Sequence, residues 1–199
     1  MTRSSYFFSV AFVLLLMSQL FMAYRTARIE SPNFKVVETF ENFEIRNYEA
    51  MNVAKTSMTD GAYEKSSNSG FKTIANYIFG GNKENQKIAM TSPVIMEIGE
   101  GSTMSFVMPK EHSYENLPEP NSGDIELLQI QPKTYAVLAF TGFANDVKIK
   151  KHAKSLLQFM KAENLKPIGA IQYLGYNPPW QVLGRTNEIA VEVIYSDKY

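Results

Sequence analysis

The sequence predicts an α+β fold made of two β-α-β-β repeats behind an N-terminal apolar segment. The chain has 199 residues and opens with an uncharged apolar run. Its two halves match each other without a gap, and each contains one helical pattern beside alternating apolar patterns. Two such repeats would pair their sheets about a pseudo-twofold axis, giving a curved sheet or open barrel with a helix on each side.

The N-terminal segment, residues 6–24, has no charged residue and follows Arg3. A positive start before an apolar run is typical of a secretory signal peptide, and the length also suits a membrane anchor. Residues 1–28 are therefore predicted to be one or the other, and the protein to be exported or membrane-anchored. The periplasmic or extracytoplasmic side is favoured. Residues 31–199 are predicted to form one domain.

The charge balance argues against one class of partner. Lysine plus arginine and aspartate plus glutamate each number 20, so the chain without Arg3 carries one net negative charge. Nucleic-acid-binding domains usually show a basic excess, and no nucleic-acid partner is predicted. The sequence contains no cysteine, which excludes disulfides.

The two halves of the predicted domain match at an offset of 85 residues, which places Val53 on Leu138 and Phe71 on Leu156. The same offset places Pro93 on Pro178 and "TMSFVM" on "EIAVEV". Chance agreement of apolar positions is the alternative explanation. A duplication predicts the same elements in the same order in both halves.

Each half is predicted to begin with a strand pair and to continue into a helix. The strand pairs are "FEIRNYEAMNVAKTSM" and "IELLQIQPKTYAVLAFTGF". The first helix contains apolar residues at helical spacing before a pair of glycines ends it. These residues are Phe71, Ile74, Ile78 and Phe79. Asn145 is placed to cap the second helix.

Two strands are predicted to return after each helix: "KIAMTSPVIMEI" with "TMSFVMP", and "PIGAIQYLGY" with "NEIAVEVIY". Proline cannot donate a hydrogen bond to a sheet, so Pro93 marks an edge, a bulge or a strand end. If Pro93 and Pro178 are equivalent, both turn the chain at one rim of the sheet. A cleft would then lie beside the two helices, where a ligand could bind.

Four segments in chain order are "IRNYEAMNVAKT", "GGNKENQKIAMTSPV", "FVMPKEHSYENLPEP" and "YNPPWQVLGRTNEIAVEV". Together they resemble the SOUL family of haem-binding proteins, and the resemblance runs from about residue 36 to residue 195. It implies an eight-stranded distorted antiparallel barrel with two helices, similar to the gyrase-inhibitor-like effector-binding fold. It also implies non-covalent binding of haem or another tetrapyrrole, as carrier, buffer or scavenger.

The resemblance implies an apolar pocket between the first helix and the loop before the last strand. It assigns to this pocket Phe71, Ile74, Ile78, Phe79, Met90, Tyr176, Trp180 and Arg185. A porphyrin is a flat apolar plate with two carboxylates at one edge, so aromatic walls and a cation near the mouth suit it. Arg185, with Lys72, Lys83 or Lys87, would supply such cations. Gln181 stands where many members carry a basic residue.

No metal site and no enzymatic activity are predicted. His112 and His152 are the two histidines; both are predicted to face solvent, and the family does not require a histidine ligand throughout. The common hydrolase and nucleotide-binding motifs are missing from the sequence. The alternative is a small-molecule hydrolase or effector-binding module of the gyrase-inhibitor-like type, with Glu188 as general base beside Tyr176. A third interpretation, a membrane-tethered partner-binding module, depends on the N-terminal segment alone.

Overall fold

The computed structural model describes residues 3–26, 28–58, 63–99 and 101–195. These residues form three α-helices, which are α1 (Arg3–Thr26), α2 (Tyr63–Ile78) and α3 (Asp146–Ala162), and a short 3-10 helix at Tyr114–Asn116. The strands are β1 (Phe34–Thr39), β2 (Glu44–Tyr48), β3 (Met51–Ser57), β4 (Val94–Ile98), β5 (Thr103–Val107), β6 (Ile125–Ile130), β7 (Lys133–Thr141), β8 (Pro167–Gly175) and β9 (Thr186–Val193). The predicted segment 1–28 and domain 31–199 also include residues 1, 2, 27, 59–62, 100 and 196–199, which lie outside the described residues.

The strands form one antiparallel sheet in the order β1-β2-β7-β9-β8-β4-β5-β3-β6. In the two repeats, β2, β3, β4 and β5 correspond to β6, β7, β8 and β9. With β1 left aside, exchanging these counterparts turns the strand order into its reverse, so the sheet is symmetric about the β8–β4 pair. The first strand of each repeat pairs with the other repeat, β2 with β7 and β6 with β3. The α+β class and the two β-α-β-β repeats are confirmed. The sheet curls into a half-barrel, and it has nine strands instead of eight because β1 adds to β2.

The internal offset is correct for the helices and wrong for the two prolines. Phe71 and Leu156 lie on the equivalent helices α2 and α3. Pro93 precedes β4, whereas Pro178 follows β8, so they are not equivalent positions. The connection between α2 and β4, residues 79–93, is longer than the one between α3 and β8, residues 163–166, and this difference breaks the constant offset at Pro93. Both prolines nevertheless lie at one end of the sheet, because Val94 is opposite Gly175.

The Thr-Ser-Pro interruption marks the true start of a strand. Before it, Lys87 makes only an isolated bridge with Phe79, so the predicted strand ahead of Pro93 is absent from this described stretch. Thr91 Oγ1 donates a hydrogen bond to the carbonyl of Val107, 2.5 Å away, and fixes the entry into β4. The interruption therefore places the connection between α2 and β4 at the rim of the sheet.

The main core lies between the sheet and helices α2 and α3. From α2 it includes Ile74 and Ile78, and α3 contributes four buried residues at helical spacing, namely Ile149, Ala153, Leu156 and Met160. Asn145 caps α3 as predicted, since its Oδ1 accepts a hydrogen bond from the Lys148 N–H at 2.9 Å. Each helix covers one half of a single sheet face.

The half-buried side chain of His152 on α3 should make stability depend on pH. Its ring stacks on Phe140, with centroids 4.2 Å apart. Burial, followed by Lys151 and Lys148, lowers the pKa of His152 below its usual value. The folded state therefore favours the neutral ring, and this contribution is present above the ordinary histidine pKa and is lost as pH falls below it.

We expect the His152→Gln variant to lose less stability than the wild type between pH 7.5 and pH 5.5. The measurement is urea unfolding of both proteins at the two pH values. Gln158→Ala, at an exposed position on the same helix with no titratable side chain, is the matched control, and it should follow the wild-type pH dependence. Equal pH dependence in the wild type and His152→Gln would contradict the assignment.

Candidate functional site

The sheet has two apolar faces, and only one of them is covered by α2 and α3. Alternation along β9 separates them, because Ile189, Val191 and Val193 belong to the helix-covered core. Ala190 belongs to a second cluster on the opposite face, with Tyr48, Tyr135, Val137 and Leu174 as its other buried members. The second face is the inner face of the half-barrel, because strands of both repeats line one groove on it.

A groove of about 270 Å³ runs along this second face. Its walls come from strands of both repeats, including β2 and β6 near the two edges, so the sheet curls around it. The apolar lining includes Tyr48, Met51, Val53, Ile95, Ile130, Tyr135, Leu174 and Ala190. Two ion pairs flank it: Lys55 Nζ lies 3.2 Å from Glu97 Oε2, and Lys133 Nζ lies 2.6 Å from Glu192 Oε2. The two lysines and two glutamates carry no net charge together. The groove therefore favours a ligand with apolar surface and no net charge.

A buried polar network adjoins the groove at Tyr48. Arg46 Nη1 lies 2.9 Å from Glu188 Oε1 and 3.4 Å from Tyr48 Oη. Glu188 Oε2 accepts a hydrogen bond of 2.6 Å from Tyr176 Oη, and Arg46 Nε donates to Glu44 Oε2 at 2.8 Å. The Arg46 and Glu188 side chains are only 11% and 6% exposed. The pair is therefore largely shielded from water.

The network fixes the ionisation of its members. Burial alone would lower the pKa of Arg46, but Glu188 and the hydrogen bonds to its neighbours raise it above the ordinary value. Burial and then Glu188 raise the pKa of Tyr176 well above its usual range. Tyr176 therefore remains protonated near neutral pH and donates to a carboxylate that Arg46 already neutralises. Both carboxylate oxygens of Glu188 are therefore engaged, Oε1 by Arg46 and Oε2 by Tyr176.

Three predicted site residues are exposed on the two connections that meet at one end of the sheet, which we call the loop end. Phe79 and Met90 belong to the connection between α2 and β4, and Trp180 belongs to residues 176–185, the β8–β9 loop. The two connections emerge from neighbouring strands, since Val94 at the start of β4 is opposite Gly175 at the end of β8. The exposed fractions are 57% for Phe79, 43% for Met90 and 65% for Trp180.

The predicted residues on the helix lie elsewhere. Ile74 and Ile78 are 0% and 1% exposed and belong to the main core, so they do not form an accessible wall in this structure. A helix face that packs on a sheet has the same apolar spacing as one that lines a pocket. Phe71 is partly exposed about two turns before the end of α2, and its ring centroid lies 5.3 Å from that of Phe106.

The last two predicted residues have structural partners. Tyr176 belongs to the network with Glu188 rather than to the exposed part of the loop end. Arg185 is 8% exposed, and its Nη1 donates to the carbonyls of Pro178 and Gln181, each at 2.7 Å. Its guanidinium also lies 4.5 Å from the ring centroid of Phe143. Arg185 therefore holds the loop together in this structure.

The two histidines are less exposed than predicted. The His112 side chain is 11% exposed, and His152 is half-buried against Phe140. Among the described residues, no group of three or more His, Asp or Glu side chains is arranged to hold a metal ion.

Sequence reasoning placed Glu188 and Tyr176 together but missed Arg46, Tyr48 and the groove. The charged residues of "IRNY" and "NEIAVEV" alternate with core residues, so they lie on the opposite face of the sheet. That alternation is the available signal. It does not identify partners, because Arg46 and Glu188 are 142 positions apart.

Solved structures share this fold at low sequence identity. The C-terminal domain of EcmrR matches with a TM-score of 0.59 and 10% identity, covering 82% of this chain and 99% of that domain. A hydrolase from Listeria innocua matches with a TM-score of 0.51 and 11% identity, covering 79% of this chain and 94% of that one. These similarities show the effector-binding-like fold and nothing about chemistry.

Sequence comparison gives closer relatives. Heme-binding protein 2 of Homo sapiens is 27% identical over 174 residues, covering 81% of this chain and 84% of the relative. Heme-binding protein 1 of Xenopus laevis is 24% identical over 155 residues, covering 74% and 81%. The family model described as SOUL heme-binding protein matches residues 29–192. Because that match covers most of the chain, this protein belongs to the SOUL haem-binding family.

Proposed function

We propose that this protein binds haem or another tetrapyrrole reversibly, without a covalent bond, and acts as a carrier, buffer or scavenger rather than an enzyme. The observation that carries the proposal is the family match across residues 29–192. Relatives from two vertebrates are named as heme-binding proteins. The absence of cysteine from the sequence agrees with non-covalent binding.

The loop end is the proposed location of the ligand. Phe79, Met90 and Trp180 expose apolar surface from two connections that leave adjacent strands. Covering this surface with a porphyrin would contribute about 25 cal/mol per Å² of apolar area before the costs of association. Most of the affinity would then come from apolar contact, and iron ligation would add little.

We expect Phe79→Ala and Trp180→Ala each to weaken haemin binding by about 0.5–1.5 kcal/mol, the loss typical of one aromatic contact. Replacing both His112 and His152 with alanine should change the affinity only slightly. The measurement is an absorbance titration of the full chain in detergent with haemin. Metal-free porphyrin should bind with similar affinity, because the proposed site needs no iron ligand.

Ala190→Leu is the control that tests the location. Ala190 is buried in the floor of the groove, so a larger side chain there fills the groove without touching the loop end. Haemin binding should survive this change. Loss of binding in Ala190→Leu, with Phe79→Ala and Trp180→Ala silent, would move the ligand to the groove. Loss in the double-histidine variant alone would show that iron ligation dominates.

A second candidate function is supported by the groove and its polar network. The 2.6 Å contact between Tyr176 and Glu188 lies beside an apolar hollow of ligand size, as an effector-binding or hydrolytic module would require. Binding is favoured over hydrolysis, because Arg46 and Tyr176 occupy both carboxylate oxygens of Glu188. The Ala190→Leu variant separates this candidate from the first.

We also propose that α1 is a membrane anchor and that residues 31–199 form the exported or extracytoplasmic domain. One stretch of the described chain, Phe8–Thr26, is long and apolar enough to cross a membrane by length and composition. Its 19 residues span about 28 Å as a helix, close to the thickness of a bilayer core. Arg25 and Arg28 at its end suit the headgroup region.

A further inference from the structure

The β8–β9 loop buries polar side chains and exposes apolar ones, which reverses the usual arrangement of a surface loop. Gln181 is 1% exposed, and its Nε2 donates to the carbonyl of Leu183 at 2.9 Å. Arg185 is buried against two further loop carbonyls. Trp180, Val182 and Leu183 point away from this polar centre and are exposed. The loop is therefore held in a shape that presents apolar side chains outward.

Helix α1 lies directly beside these exposed side chains. Gln19 Oε1 accepts a hydrogen bond from the Val182 N–H at 2.9 Å, and Thr26 Oγ1 donates to Gln181 Oε1 at 2.7 Å. Positions 19, 22, 23 and 26 of α1 are half-buried, at the spacing of one helix face. The candidate membrane span and the apolar loop thus form one continuous surface.

We propose that, in the haem-free protein, the β8–β9 loop dips into the lipid bilayer beside α1, with Trp180, Val182 and Leu183 at the boundary of headgroups and acyl chains. This inference depends on the proposed anchoring of α1. Val182 contacts α1 at Gln19, seven residues before Thr26, which is about 10 Å along the helix axis. If Arg25 lies among the headgroups, Val182 reaches the depth at which interfacial apolar groups are buried. Tryptophan is favoured at that level.

The test uses Trp180 as its own probe, because it is the single tryptophan of the chain. The full chain, without haem, is reconstituted into phosphatidylcholine vesicles with brominated acyl chains, which quench tryptophan emission on contact. Trp180 emission should be quenched, most strongly by bromines near the headgroups. Val182→Asp combined with Leu183→Asp should abolish most of the quenching, since charges are excluded from this region.

The matched control moves the probe to the other end of β8. The variant Trp180→Phe with Ile168→Trp places the tryptophan about 20 Å away along the strand, at a partly exposed position, and its emission should not be quenched. Quenching of Trp180 no greater than this control, in a chain that resists carbonate extraction, would overturn the loop inference alone. Release of the chain by carbonate would overturn the anchor and the loop inference together. A blue shift of Trp180 emission that grows with the density of protein in the vesicles, without quenching, would show that the loop contacts a second copy of the chain. That result would also overturn the loop inference. None of these outcomes bears on haemin binding in detergent.

Discussion

Replacing Arg46 with methionine should lower the free energy of unfolding by about 3–5 kcal/mol, because Glu188 would remain buried without its cation. Glu188 would keep only the hydrogen bond from Tyr176. Methionine retains most of the volume of the aliphatic stem, so a cavity contributes little to the loss. The measurement is urea unfolding near pH 7, where the carboxyl is charged in the unfolded chain.

The partner variants separate charge burial from packing. Glu188→Gln should cost less, about 1–2 kcal/mol, because Arg46 retains its hydrogen bond to Glu44. The double variant Arg46→Met with Glu188→Gln should recover much of the single Arg46 loss, since no unpaired charge remains. Two results would contradict this. If Arg46→Met is as stable as the wild type, or if the losses of the two single variants simply add in the double variant, the ion pair is exposed to water in solution.

The network also limits what the groove can do chemically. A buried arginine and a protonated tyrosine occupy both oxygens of the Glu188 carboxylate, so its removal is predicted to cost stability. If the groove binds a ligand, the apolar floor around Tyr48 and Ala190 would provide most of the contact. The ion pairs Lys55–Glu97 and Lys133–Glu192 would then flank its entrance.

The repeat was predictable because each element carries its own periodicity. The alternation at Ile189, Val191 and Val193 and the helical spacing at Ile149, Ala153 and Leu156 both correspond to buried faces in the structure. Strand β1 was missed because most of its residues are exposed, so it shows no period-two pattern. It is held by pairing with β2, which sequence periodicity does not report.

The candidate site was less predictable, because helix faces and loop orientation depend on the whole fold. The apolar spacing of Ile74 and Ile78 is the same whether they pack in a core or line a pocket, and they pack in the core. Arg185 was expected to meet a ligand carboxylate, whereas the loop carbonyls surround it. Gln181 is buried in the loop, and its neighbour Trp180 is exposed. The amino-acid composition does not indicate which of two adjacent loop residues faces inward.

Replacing Arg185 with alanine should weaken haemin binding by about 1.5–3 kcal/mol, through loss of the hydrogen bonds that shape the β8–β9 loop. Two explanations make different predictions. If Arg185 pairs with a haem propionate, the loss should disappear with haemin dimethyl ester, which has no carboxylate. If Arg185 acts by holding the carbonyls of Pro178 and Gln181, the loss should be the same for both ligands.

We expect equal losses, because the guanidinium is buried and already engaged on two carbonyls and against Phe143. Arg185→Lys should fail to rescue binding of either ligand, since a lysine cannot reproduce the planar fork of donors. The urea midpoint of each variant serves as the folding control. Rescue by Arg185→Lys for haemin but not for the ester would instead show that the charge of Arg185 reaches the ligand. In that case the loop must open on binding, because the present arrangement leaves the guanidinium only 8% exposed.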